Sequence, residues 1–257
     1  MDRILVVGCS FISFESREPM PPWDKINYKK YHFRGTPAGG NIVIAERVKH
    51  EVLNSHWDQV VVVWTGINRI DIPKTKYQYE ELPKTYSFVQ QIGDMYWFLS
   101  GGVCGSWQVA DACPEPVYTQ FMQAFVDQTQ ISASDITLKC IVDTQEFLKN
   151  KNIPFTMAWI YDVNKDYNSD LDVFGNRNPR KIMLDRWPHW LALEHCLGKI
   201  DKSSSWYDNV DWSFFPSEST AFEWCAERKM LEPDRFHPTK EGMIKWFREL
   251  DIYLTDS

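Results

Sequence analysis

The sequence predicts an α/β fold, a three-layer, doubly wound sheet of mostly parallel strands with helices on both faces. Three observations predict it. Short apolar runs recur at residues 4–7 (ILVV), 60–64 (VVVVW) and 153–160 (IPFTMAWI), close to the near-continuous pattern of strands buried on both faces. The first two stop at short turns bearing Gly8 and Gly66. Segments with apolar residues three and four apart lie between and after the runs, the alternation of βα units. Such sheets work at the edge where the strands' carboxyl ends meet, so chemistry is sought there.

Taken in order, residues 4–7 are β-branched-rich, end at Gly8 and read as the first, central strand. A turn-rich stretch with Pro19, Pro21 and Pro22 follows, then the aromatic cluster Tyr28, Tyr31, His32 and Phe33. The glycine-rich turn GTPAGGN (35–41) feeds a helix over 42–53, with apolar positions at 42, 45, 48, 52 and 53. Residues 60–64 form the second strand. Residues 71–116 mix Pro, Tyr, Trp and the pair Gly101-Gly102 without periodicity, and read as an insertion able to roof a site. Two helices are expected between 117 and 151, the second opening at Ser132-Ala-Ser-Asp135. A strand follows over 153–160. Residues 162–185, rich in Asp, Asn and Arg, form a surface excursion, and a stretch with Trp187, Trp190 and Trp206 comes next. A short helix over 219–229 and a final helix over 240–250 close the chain. One domain, 1–257, with an insertion at about 71–116, accommodates all of this.

Composition narrows the function classes. A net charge of −7 argues against a partner bound through nucleic-acid phosphates. The apolar run at 4–7 is too short for a signal segment, and no later run approaches a membrane span, so neither membrane insertion nor export is expected. The six cysteines, at 9, 104, 113, 140, 196 and 225, lack C-x-x-C spacing, which speaks against a zinc ribbon and for free thiols in a reducing compartment, the cytoplasm. His32, His50, His56, His189 and His195 have no paired ligand spacing, so no metal is expected. Twelve tryptophans exceed what the size suggests and leave aromatic surface to explain.

The residues able to carry chemistry sit at strand and helix ends. Ser10 follows the first strand where the chain turns, a placement that exposes a nucleophile, although many such serines only bond backbone. Cys9 is the competing nucleophile, and an apolar neighbourhood would leave it a buried, inert thiol. Asp234 stands three residues before His237 in LEPDRFHPTKEG (231–242). The pair suits a general base held by a carboxylate, and equally a polar turn before a helix capped by Thr239. Acyl transfer also needs preset oxyanion donors. Gly39 or Gly40 offers a backbone N–H and Asn68 a carboxamide, though a glycine helix entry and a turn asparagine look the same in sequence.

In chain order, Gly8-Cys9-Ser10-Phe11, the glycines of Ala38-Gly39-Gly40-Asn41, Gly66-Ile67-Asn68, and Asp234-Arg235-Phe236-His237-Pro238 with Gly242 beyond resemble the four blocks of the SGNH (GDSL-like) hydrolases. The similarity spans nearly the whole chain, and D-x-x-H-P is its most specific part. Short standalone members carrying Gly-Cys-Ser-Phe, familiar from phage and bacterial genomes, are the nearest in character. The resemblance implies a flavodoxin-like three-layer domain with Ser10, Asp234 and His237 as the catalytic triad. It implies an oxyanion hole from the Ser10 N–H, Gly39 or Gly40, and Asn68, without cofactor. Cys9, Phe11, Trp64, Arg69 and Phe236 would border the substrate. Two positions depart from the family: Cys9 replaces the Asp common before the nucleophile, and Arg69 the Asp frequent after the asparagine.

The expected function is therefore a serine esterase acting on an ester-bearing small molecule or glycan, such as an O-acetyl sugar, with no nucleic acid or membrane partner. A phage origin would put it in the host cytoplasm. An O-acyltransferase using the same triad, and a catalytically silent binding or virion-associated module, are the competing readings.

Overall fold

The computed structural model describes residues 3–9, 12, 31–36, 39–67, 71–74, 89–99, 133–164, 199–216, 220–231 and 238–250. Its centre is a four-stranded parallel sheet of β1 (Ile4–Cys9), β2 (Tyr31–Thr36), β3 (Gln59–Trp64) and β7 (Phe155–Trp159), in the order β2-β1-β3-β7. β1 lies inside, pairing Val6 with Phe33 on one side and with Val61 on the other. β3 pairs Val62 with Met157. The fold is α/β, and the carboxyl ends of all four strands lie on one edge, at Cys9, Thr36, Trp64 and Trp159.

β1 and β3 are buried at nearly every position, which is why their sequences run apolar without alternation. β2 differs: only Tyr31 and Thr36 are buried, while His32 to Gly35 are half-exposed, so its sequence carries no apolar run. Its place comes from pairing with β1 along six residues rather than from local pattern.

Helix α1 (Asn41–Asn54) connects β2 to β3, and α2 (Ala133–Asn150) connects β3 to β7. Both crossovers move across the sheet in the same direction. With right-handed connections they occupy one face, and the two helices pack on each other. α1 buries Val43, Ile44, Ala45, Val48 and Val52 as an apolar stripe. Its last turn is closed by side chains: Asn54 Nδ2 donates to the His50 carbonyl at 2.7 Å and Trp57 Nε1 to the Glu51 carbonyl at 3.0 Å. α2 ends in Asn152 at φ 53°, a left-handed position that asparagine tolerates, and Ile153 N–H returns to the Leu148 carbonyl.

The stretch expected as an insertion contains a three-stranded antiparallel sheet, β4 (Asp71–Lys74), β6 (Met95–Leu99) and β5 (Val89–Ile92), in that order. It runs along α1, from Asp71 at the helix start to Gly93 beside His50 in its last turn. These strands therefore flank the helix; residues 75–88 and 100–116 lie outside the described residues.

After β7, residues 199–216 return across α2. Gln145 reads the backbone of Asp211 from both sides, donating to its carbonyl at 2.9 Å and accepting from its N–H at 3.0 Å. Ser134 and Asp135, in the first turn of α2, hold Asp201 N–H and the Ser204 hydroxyl. Two single-turn 3-10 helices, Tyr207–Asn209 and Trp212–Phe214, carry a line of rings in which Phe214 stacks on Phe155 and Phe215 on Trp159. α3 (Ala221–Glu227) and α4 (Lys240–Glu249) then pack on each other, burying Phe222, Trp224, Trp246 and Phe247 in the same core as the strands. Their approach is close: a Cβ on Gly242 would lie 2.9 Å from both Cys225 Sγ and Met230 Cβ. The first of the two helices expected between 117 and 151 lies outside the described residues, as does most of the 162–185 excursion with Trp187 and Trp190. Among the described residues no helix is long and apolar enough to cross a membrane.

Candidate functional site

The carboxyl edge of the sheet collects several of the buried polar groups. Thr36, Asn41, Thr65, Asp71 and Thr137 are all buried there. Each belongs to a different segment: the end of β2, the start of α1, the turn after β3, the start of β4 and the beginning of α2.

Directly after β1 the chain reverses, with Ile12 N–H donating to the Cys9 carbonyl at 3.0 Å. Gly8 makes room for this. A Cβ there would sit 2.5 Å from Ile12 Cγ1 and 3.0 Å from the Val63 carbonyl oxygen. The residues spanned by that turn, Ser10 and Phe11, lie outside the described residues. Cys9 itself is a free thiol, wholly buried. Trp64, at the end of β3, is equally buried.

The glycine turn is bonded at the N–H of both Gly39 and Gly40. Gly39 N–H donates to the Thr36 carbonyl at 2.9 Å, and Gly40 N–H to Asp71 Oδ1 at 2.8 Å. The other carboxylate oxygen of Asp71 accepts from Val43 N–H at 3.0 Å. α1 has Gly40 at its N-cap and no capping side chain of its own. Asp71 supplies the missing acceptor from the first residue of β4, and its negative charge suits the positive end of the helix. Both glycine N–H groups proposed as oxyanion donors thus already have protein acceptors.

Asn41, the next residue, ties the glycine turn to the β3 turn. Its Oδ1 accepts from Thr65 N–H at 3.0 Å, and its Nδ2 donates to the Thr65 carbonyl at 3.2 Å and to Thr137 Oγ1 at 3.0 Å. Thr65 and Gly66 precede Asn68, which, with Arg69, lies outside the described residues. The hydroxyls of Thr36 and Thr65 and the indole N–H of Trp64 are buried and find no hydrogen-bond partner among the described residues. Three such atoms gathered on one edge suit a place where water or a ligand belongs.

The loop that bears Asp234, Phe236 and His237 is described only at its ends. Leu231 and Pro238 form an isolated antiparallel bridge, and Thr239 N–H donates to the Met230 carbonyl at 2.7 Å. Thr239 caps α4, accepting from Gly242 N–H at 3.0 Å, as the sequence suggested. Residues 232–237 lie outside the described residues.

The histidines that are described stand away from this edge. His32, on β2, is edge-on to Trp57, and its pKa is lowered by burial and by the charges of Arg3 and Arg34. His56 is exposed beside Asp58. Among the described residues no group of three or more His, Cys, Asp or Glu side chains could hold a metal ion.

Two residues that the sequence reading passed over, Asp71 as acceptor and Asn41 as brace, organise what is described of the edge. Neither leaves a local signal, since each acts on partners 24 or more residues away. Comparison with protein-family models, curated proteins and solved structures finds no match to this chain.

Proposed function

We propose that this chain is a serine esterase of SGNH (GDSL-like) type, a single domain over residues 1–257 built on a doubly wound three-layer sheet. The observation that carries the reading is the meeting of three turns on one sheet edge. The turn after β1 precedes and spans Ser10, the glycine turn enters α1, and the turn after β3 leads to Asn68. The last two are hydrogen-bonded to each other through Asn41. The buried polar atoms of Thr36, Trp64 and Thr65 on that edge, which have no hydrogen-bond partner among the described residues, support a ligand there.

In the proposed reaction His237 takes the Ser10 proton as Oγ attacks the ester carbonyl, and Asp234 stabilises the imidazolium. The oxyanion is held by the Ser10 N–H and the Asn68 amide; Gly39 or Gly40 joins them where its N–H leaves its present acceptor. As the tetrahedral intermediate collapses, His237 protonates the departing alcohol. It then deprotonates a water that attacks the acyl-serine, returns that proton to Ser10 Oγ as the second intermediate collapses, and the carboxylic acid leaves. No cofactor takes part. An ester-bearing small molecule or O-acetylated glycan is the proposed substrate. Unpaired thiols at Cys9, Cys140 and Cys225 suit a cytoplasmic enzyme.

One observation favours a catalytically silent binding module: both candidate glycine donors are already bonded within the protein. Hydrolysis of p-nitrophenyl acetate and longer homologues by the wild type, Ser10→Ala and His237→Ala, with a fluorophosphonate probe alongside, separates the readings. Turnover and labelling that both vanish in Ser10→Ala are expected. Turnover that survives in Ser10→Ala sinks the esterase reading.

A further inference from the structure

Asn41 is nearly inaccessible, at 3% exposure, yet its carboxamide bonds both the N–H and the carbonyl of a single residue, Thr65, at 3.0 and 3.2 Å. It does for Thr65 what a neighbouring strand does along a ladder, at the point where β3 has ended. The third bond, to Thr137 Oγ1, fixes the carboxamide's own rotamer from α2. Aspartate has the shape and lacks the donor; serine is too short to reach both groups. Among the described residues the Thr65 hydroxyl has no partner, and the bonds from Asn41 reach this turn through its backbone.

We propose that Asn41 is the positioning residue of the candidate site. By joining the first turn of α1 to Thr65, it sets where the turn leading to Asn68 stands relative to the glycine turn. The role rests on the esterase reading. Oxyanion donors stabilise the transition state only if they are in place before charge develops, so a shift of the β3 turn is felt in turnover more than in substrate binding.

The test uses the 257-residue chain with p-nitrophenyl acetate and the fluorophosphonate probe, comparing wild type, Ser10→Ala, Asn41→Asp, Asn41→Ser and Thr137→Val well below each Tm. Hydrogen exchange at the Thr65 amide is followed in parallel. Asn41→Asp is expected to lower kcat by about 10- to 100-fold with KM changed by less than about threefold, and to slow labelling of Ser10 alike. Asn41→Ser should match it and also expose the Thr65 amide to exchange; it carries the comparison should Asn41→Asp not fold. Thr137→Val, which leaves both bonds to Thr65 and removes only the one that fixes the carboxamide's rotamer, should lower kcat by less than either Asn41 variant. Ser10-dependent turnover that is indifferent to both Asn41 variants would overturn the positioning role and leave the esterase reading standing. Absence of Ser10-dependent turnover in the wild type would overturn the esterase reading, and the positioning role with it.

Discussion

Asp71 caps a helix whose N-cap residue lies 31 positions before it, its carboxylate accepting the Gly40 N–H at 2.8 Å. The second oxygen takes Val43 N–H, so one buried side chain satisfies two donors that α1 itself leaves open.

Replacing Asp71 with alanine should therefore strand two buried N–H groups and cost about 2 kcal/mol. Asp71→Asn keeps one acceptor oxygen and should cost less. Urea unfolding checks both: the midpoint should fall with the slope unchanged.

Gly8→Ala tests the tight turn after β1. The added methyl meets Ile12 Cγ1 at 2.5 Å and the Val63 carbonyl at 3.0 Å, an overpacking that should cost about 1–3 kcal/mol. Ile12→Ala removes the nearer clash. In a double-mutant cycle the pair should be less destabilising than the sum of its parts.

The thiols of Cys225, buried, and Cys140, half-buried, give a pH dependence of definite sign. Burial pushes Cys140 and Cys225 each from 9.0 up to about 12. The unfolded chain loses these protons first, so between pH 9 and 12 the native state binds more protons and stability falls as pH rises; below 9 the contribution is intact. A Cys140→Ala, Cys225→Ala variant should show a shallower loss of stability over that window. In the wild type at pH 8, both thiols should react slowly with an aromatic disulfide reagent until the protein is unfolded.

Gln145→Ala should release the return segment 199–216 from α2. Both bonds to Asp211 are lost, leaving its backbone N–H and carbonyl without their side-chain partner, a cost of about 1–3 kcal/mol. Ser213 and then Lys149 hold the Asp211 carboxyl below the usual range, so their help is lost as pH falls through that lowered value. Local hydrogen exchange across residues 207–215 should rise more in the variant than exchange in β1 or β3.

Elements whose burial is written into consecutive residues were legible in the sequence. β1, β3 and β7 announce themselves as apolar runs, and α1, α2 and α4 by spacing, with Thr239 an evident cap. β2 was not legible, because Tyr31-His-Phe-Arg-Gly-Thr36 is a half-exposed strand that β1 recruits. The same holds for β4 to β6, where Pro73 and Gly93 interrupt any pattern and long-range pairing decides. Of the candidate site, Cys9, Gly39, Gly40 and Trp64 fall within the described residues. The brace of Asn41 and the cap of Asp71 escaped notice because a lone buried polar residue looks like a surface one until its partner is known.

The order β2-β1-β3-β7 also has a consequence for synthesis on the ribosome. Of the four strands of this sheet the first to emerge is an inner one, and both of its edges stay open until residues 31–36 and 59–64 have left the exit tunnel. β3 in turn waits for 155–159. Every pairing in this sheet closes a long loop, so the nascent chain carries a bare, valine-rich strand for much of its elongation, the interval in which a holding chaperone has most to protect.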